Sequence, residues 1–342
     1  MSQRILSICT LILALLLIAT HAKANMQPTC SAWVAPGQDL QQAIDTLRSD
    51  AHPAVLCLNK GEYRVDKLLH IGRDGVHIRG SGPNTVIRLN KDVQQPLIVI
   101  GDYQNQQPAK QIGDVVIERM HLIGTTNVEH EFMPERPYLS NSVVVLRAAH
   151  NVSLLDLKVS QCRSACLLSE YDSHRLNIER NDVSGATWDG VSFNRSTHVR
   201  LVNNVIHDNV AAGITTEHLE DSEIRGNRLE RNGSQGLYLA DARRNVFKHN
   251  QFISNKKSGV LLTCSIRYRT PEVLCWDNSM SQANVFEYNI FQKSPYIYTI
   301  GVDRAANCKG SDFEPNMWRN NKADTSGFNP PPDVYGTCVQ TQ

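Results

Sequence analysis

The chain has 342 residues with 35 Lys and Arg against 34 Asp and Glu. This balance argues against a nucleic-acid binder held by a broad basic surface. The length exceeds what most compact cores sustain but suits a solenoid, whose core grows linearly with its repeats.

Residues 1–24 contain Arg4, an apolar run from Ile5 to Ala19, then Ala22, Lys23 and Ala24. This is the layout of a secretory signal, which predicts a mature chain starting at Asn25 and a secreted or periplasmic location. No other stretch reaches the roughly 20 apolar residues of a membrane span, so no span is expected once the leader is removed. Without Cys9, eight cysteines remain in sequence-local pairs: Cys30 with Cys57, Cys162 with Cys166, Cys264 with Cys275, and Cys308 with Cys338. In an oxidising compartment these read as disulfides, with neighbour pairing the first choice among connectivities. Their spacing does not match a zinc finger.

In the N-terminal segment, 25–53, the stretch from Gln38 to Ser49 places Leu40, Ala43, Ile44 and Leu47 on one helical face. It is read as an amphipathic helix that caps an open end, before a first strand at 54–58. Residues 54–300 carry the repeat. Gly190, Gly213, Gly236 and Gly259 fall 23 residues apart, and Asn181, Asn204, Asn227 and Asn250 precede them by nine. Around these points short apolar stretches, such as Ile178 to Val183 and Val191 to Phe193, are too brief for helices. Each rung is therefore a set of short strands separated by turns, pairing in parallel with the rungs about 4.8 Å above and below. Glycine in every rung marks a turn with positive φ or a close backbone approach, and the asparagines suit bonding from rung to rung. The pattern returns with Phe286, Asn289 and Phe291 after an insertion, and another excursion separates Leu122 from Val143. That excursion carries Glu129, His130, Glu131 and Arg136, with Pro134 and Pro137 arguing for an irregular lid. Residues 301–342, with four prolines and the last cysteine pair, read as an irregular, disulfide-tied cap without repeat.

Three segments carry a family resemblance: Gln38 to Ile44, Lys60 to Val65, and Val76 to Gly82. They resemble the opening of pectin-lyase-like right-handed β-helix proteins, and the Asn-and-Gly rungs resemble that superfamily's short repeats, over roughly residues 36 to 300. The resemblance implies an all-β, single-stranded, right-handed parallel β-helix and a polysaccharide partner. Its members act as lyases, uronate epimerases or hydrolases, or bind glycans and assist envelope assembly without catalysis. The chain lacks the Asp-Pro-His-Asp of alginate epimerases, the Gly-His-Gly and Asp-Asp of polygalacturonases, and the Trp-Ile-Asp-His of pectate lyases. Catalysis is left open, and fold-level likeness does not decide it.

Aligning the rungs on their glycines brings Arg195, His218 and Asp241 to one column, and Ser192, Thr215 and Tyr238 to another. Uronate elimination or epimerisation needs a cation on the substrate carboxylate, a base for the proton alpha to it, and an acid. Arg195 fits the clamp, His218 the base, Tyr238 the acid, and Asp241 a group orienting His218. Glu217 adjoins them as a substrate contact, although strand alternation turns it to the opposite side. The loop between Cys264 and Cys275 adds Arg267, Tyr268 and Arg269, which suit stacking on a sugar and pairing with its carboxylates. The competing reading is that polar turn residues on any β-helix form such patches. A second column of Ser184, His207 and Glu230, beside Asp208 and Arg231, lies on another face, and His150, His174 and His198 read as turn residues. No cofactor is required by these residues. Calcium is compatible with polyuronate enzymes of this fold, but no Asp-x-Asp-x-Asp-Gly loop is present.

Overall fold

A computed structural model describes residues 29–47, 54–268, 274–276, 279–293, 299–306, 308, 311–324 and 338–342. The leader expected over 1–24 lies outside the described residues. One compact unit, Ser31–Gln342, holds the repeats. Its short strands join almost entirely in parallel, in one sheet of ten strands and one of 22. The larger sheet takes in two faces because strands such as Val191–Thr197 run through the bend, pairing with Leu167–Glu170 before it and with Ser173–His174 after it. This is a right-handed parallel β-helix.

The interior is built from columns of like residues. Ile178, Leu201, Ile224, Phe247, Phe286 and Trp318 stand in register, as do Val183, Ile206, Leu229, Phe252 and Phe291, and all are buried. Rings stack within these columns at 4.8 Å for Phe247 on Phe286 and 4.6 Å for Phe252 on Phe291. The asparagine column is an internal hydrogen-bond ladder. Asn181 Nδ2 donates to Asn204 Oδ1 at 2.9 Å, and the pattern passes through Asn227, Asn250 and Asn289 to Asn321. From Asn204 onward each ladder oxygen also accepts the backbone N–H of the asparagine before it, and each amide reaches a carbonyl, as Asn204 does at Ile178 O. Buried amides are thus satisfied, as burial in a low-dielectric core demands. Two shorter ladders, through Asn209, Asn232 and Asn255 and through Asn245, Asn284 and Asn316, reinforce other bends.

Left-handed backbone falls on other residues than the glycine column. Arg180, Asn203, Gly226, His249, Tyr288 and Asn320 share one positive-φ column, whereas Gly190, Gly213, Gly236 and Gly259 do not have positive φ. Their requirement is close approach. A Cβ on Gly213 would lie 2.8 Å from Gly236 O and 2.9 Å from Asn232 Nδ2.

At the N-terminal end the amphipathic segment forms the helix Leu40–Thr46, with the Asp39 carboxylate accepting from Gln42 N and with Leu40 and Ile44 buried. Two expectations are corrected. The parallel ladder does not stop at 300: Asn316–Arg319 pairs with Val285–Glu287, and Val339–Thr341 pairs with Asn316–Arg319. The 32-residue step from Asn284 to Asn316 breaks the 23-residue period and hides this rung in the sequence. The Pro134 and Pro137 excursion is also not wholly irregular, since Phe132–Met133 and Arg136–Ser140 pair antiparallel with a register shift. A two-stranded edge ribbon tolerates proline because few of its N–H groups are needed. Disulfides join Cys162 to Cys166, Cys264 to Cys275 and Cys308 to Cys338, and Cys30 and Cys57 are disulfide-bonded as well.

Candidate active site

The outer face of the strands Leu167–Glu170, Val191–Thr197, Ile214–Glu220, Leu237–Arg243 and Val260–Leu262 presents two outward columns. The first is Leu168, Ser192, Thr215, Tyr238 and Leu261; the second includes Asn194, Glu217 and Asp241. Toward the N-terminus this face is covered. Met133 and Leu139 of the excursion pack with Leu68, Val99 and Val145, and Leu168, Tyr103 and Tyr138 lie against them. Arg147, fully buried, pins a second excursion by donating to the carbonyls of Asp102 at 2.8 Å, Asn105 at 3.0 Å and Gln106 at 2.8 Å. Its guanidinium pairs with Glu170 and lies 4.6 Å from the Tyr171 ring centroid. Burial pushes the Glu170 carboxyl up to about 7 against the opposing pull of Arg147. Ser192, Asn194, Thr215, Glu217 and Tyr238 are partly exposed, as Leu168 and Glu170 are, whereas Asp241 is buried.

His218 and Asp241 meet. The imidazole Nδ1 lies 2.5 Å from Asp241 Oδ2, and the carboxylate is 1% exposed while His218 is 31% exposed. Arg243 Nε donates to the other carboxylate oxygen at 3.1 Å. The Asp241 contact raises the His218 pKa above the ordinary histidine value, against burial. This pairing arises from a register shift: Glu217 stands opposite Asp241 and Leu219 opposite Ala242, leaving His218 at φ 69° in the bend. The bend overturns the alternation argument for Glu217, because Thr215, Glu217 and His218 are all partly exposed. Tyr238 is in register with Thr215 on the same outward column. Arg195 sits between the Asn194–Glu217 and Ser196–Leu219 register pairs, at φ 52°, but its guanidinium turns to Asp172, with Nε 3.1 Å from Oδ1. Arg195 is therefore engaged by a carboxylate of the preceding rung. Arg267 and Tyr268 lie in the strand Ile266–Tyr268, antiparallel to Leu274–Cys275 within the disulfide loop, while Arg269 falls outside the described residues.

Sequence reasoning passed over Asp189. It is 4% exposed, accepts from Ala212 N at 2.8 Å, and receives Ser192 Oγ at 3.4 Å. Burial lifts its pKa to about 6, opposed by the Ala212, Thr215 and Ser192 hydrogen bonds and assisted by the charge of Glu217. Trp188 beside it is 46% exposed. The available signal was an Asp directly before a column glycine.

The column of Ser184, His207 and Glu230, on another face, belongs to a closed set of charges. His207 lies between Asp208 Oδ2 at 2.6 Å and Asp182 Oδ1 at 2.9 Å, and Arg231 bonds Asp208 at 2.9 and 2.8 Å. Burial opposes charge on His207, but the two carboxylates prevail and raise its pKa. His150 and His174 stack at 5.6 Å, and His198 departs from them into left-handed backbone at φ 53°. Among the described residues no group of three or more His, Cys, Asp or Glu gathers to hold a metal.

A family model, the right-handed β-helix region, matches residues 142–273. No curated protein matches the sequence. Among solved structures the chain is similar to PfbA, a surface adhesin of Streptococcus pneumoniae, at 12% identity and TM-score 0.62, covering 92% of this chain and 83% of that one. It is similar to pectate lyase Pel9A at 10% identity and TM-score 0.59, covering 90% and 80%. The Dettilon tailspike protein matches at 12% identity and TM-score 0.57, over 85% of this chain, which spans 62% of the tailspike's length. At such identities the likeness concerns the fold, the right-handed parallel β-helix.

Proposed function

We propose that the protein is exported and engages an acidic polysaccharide along the open outer face, acting as a lyase or C5-epimerase of uronate residues. The His218–Asp241 pair carries this reading: with Nδ1 held 2.5 Å from the buried Asp241 carboxylate, Nε2 is the nitrogen that would act as base. In the neutral form Nε2 takes the proton at C5, alpha to the carboxylate. For a lyase, the released electron pair forms the C4–C5 double bond as the C4–O bond breaks, and Tyr238 protonates the leaving oxygen. For an epimerase, Tyr238 returns a proton to C5 from the opposite face. Arg195 serves as the carboxylate clamp by exchanging Asp172 for the substrate, and Glu217 contacts the sugar. Similar solved structures include a pectate lyase and a mannuronan C-5 epimerase from Azotobacter vinelandii, which supports the substrate class.

The second reading is a non-catalytic glycan-binding or envelope-assembly protein. The observation favouring it is that Arg195, the cation this chemistry needs, is already paired with Asp172. Incubation with a panel of acidic polysaccharides separates the two. Ultraviolet absorbance from new unsaturated ends identifies a lyase, and a C5 change by proton NMR without cleavage identifies an epimerase. Binding without either establishes the second reading.

A further inference from the structure

We propose that a pocket on the ten-stranded sheet, away from the outer face described above, binds a tetrahedral oxyanion: the sulfate or phosphate group of a ligand. The pocket, of about 240 Å³, is lined by Arg64, Arg88 and Lys91 on one side and by Thr125, Asn127 and Gln161 on the other. This is below the roughly 300–1,000 Å³ of clefts that hold drug-sized ligands, so it suits a single charged group.

Arg64 and Arg88 stand directly in register on adjacent rungs. Like charges so placed repel one another, and a strand pair bears that cost only with compensation. Compensation within the chain is partial. Glu62 serves both, at 2.7 Å from Arg64 and 3.3 Å from Arg88, and Lys91 has no ion-pair partner among the described residues. Three cations thus face one carboxylate, and no carboxylate is among the described lining residues. His121, on the same sheet, is held down to about 4 by burial first and then by the charges of Lys158 and Arg88, against Asp182.

The opposite wall supplies neutral donors. The turn at Thr125 closes by Asn127 N donating to Thr125 Oγ1 at 3.3 Å, and the Asn127 and Gln161 amides add further N–H groups. Two guanidiniums on successive rungs, an ammonium and two amides line the same pocket. A tetrahedral group presents oxygens in several directions, whereas a planar carboxylate offers one bidentate edge. The residual charge of the cluster also matches a dianion better than a single carboxylate.

The test is calorimetric titration of the whole protein with sodium sulfate, inorganic phosphate and glucuronate, at ionic strength held constant with chloride. Saturable one-site binding of sulfate or phosphate is expected, weakened about tenfold or more in Arg88→Gln and in Lys91→Gln, as loss of a charge-assisted hydrogen bond implies. Lys293→Gln, which removes the same charge elsewhere, should bind as the parent does, and an unchanged melting temperature in each variant shows that the fold is intact. Preference for sulfate points to a sulfated glycan and preference for phosphate to a phosphorylated ligand; either supports the site. Absence of saturable binding, equal binding by Arg88→Gln, or glucuronate binding as tightly as sulfate overturns the proposal.

Discussion

His218 owes its chemistry to a carboxylate that the solvent hardly reaches. Because Asp241 holds the imidazolium and raises its pKa, the neutral base is populated only above that raised value. Activity should therefore fall as pH drops through it, and Asp241→Asn should move this acid limb to lower pH while lowering the rate. His218→Ala should cost about 10²–10⁴ in kcat, the usual contribution of a positioned general base. The same pair bears on stability with a definite sign. A histidine whose pKa is raised by folding stabilises fully below its unfolded pKa and loses that contribution as pH rises through the folded one. Denaturation midpoints of the parent and Asp241→Asn should accordingly differ most below the unfolded histidine pKa and converge as pH rises through the raised value. Asp189 lies in the opposite regime. Burial holds it at about 6, so a carbon-detected NMR titration should place this carboxyl far above ordinary aspartates, and a normal value would contradict its enclosure.

At the scale of the rung, the asparagine ladder and the glycine column are the parts that sequence made visible, and each has a distinct physical cause. Replacing Asn227 by Ala leaves Asn204 Nδ2 and Asn204 N without their acceptor. A loss of about 1–3 kcal/mol is expected, the cost of unsatisfied buried donors, measurable by chemical denaturation. Gly213→Ala should cost a similar ~1–3 kcal/mol through overpacking, because its new methyl meets backbone oxygen and a ladder amide that cannot retreat. The period announced the rungs from 181 to 259 because their strands and turns have fixed lengths. It returned at Asn289 after a 39-residue step and was lost at the 32-residue step to Asn316 and Asn321, since an inserted loop shifts the count without disturbing the ladder. The candidate site was legible as far as columns predict neighbours: His218 and Asp241 were brought together. Side-chain direction was not legible, because left-handed bends at Arg195 and His218 break alternation and turn Arg195 toward Asp172. Asp189 stayed hidden because only packing distinguishes a buried aspartate from an exposed turn residue.

Over the whole molecule, stability is distributed along a stack in which each rung contacts its neighbours, so the ends matter most. The helix Leu40–Thr46 covers one end, and Cys308–Cys338 ties the last strand, Val339–Thr341, at the other. A Cys308→Ser and Cys338→Ser double variant releases a loop of sequence separation 30. It should lose about 3–4 kcal/mol by the loop-entropy estimate, with unfolding beginning at the C-terminal rungs in hydrogen exchange. The most direct test of the central claim is incubation of the protein and its His218→Ala variant with acidic polysaccharides, following unsaturated ends and C5 configuration. The parent should modify one glycan, and the variant should bind it without modifying it. Equal modification by both, or binding by the parent with no change at C4 or C5, would contradict it.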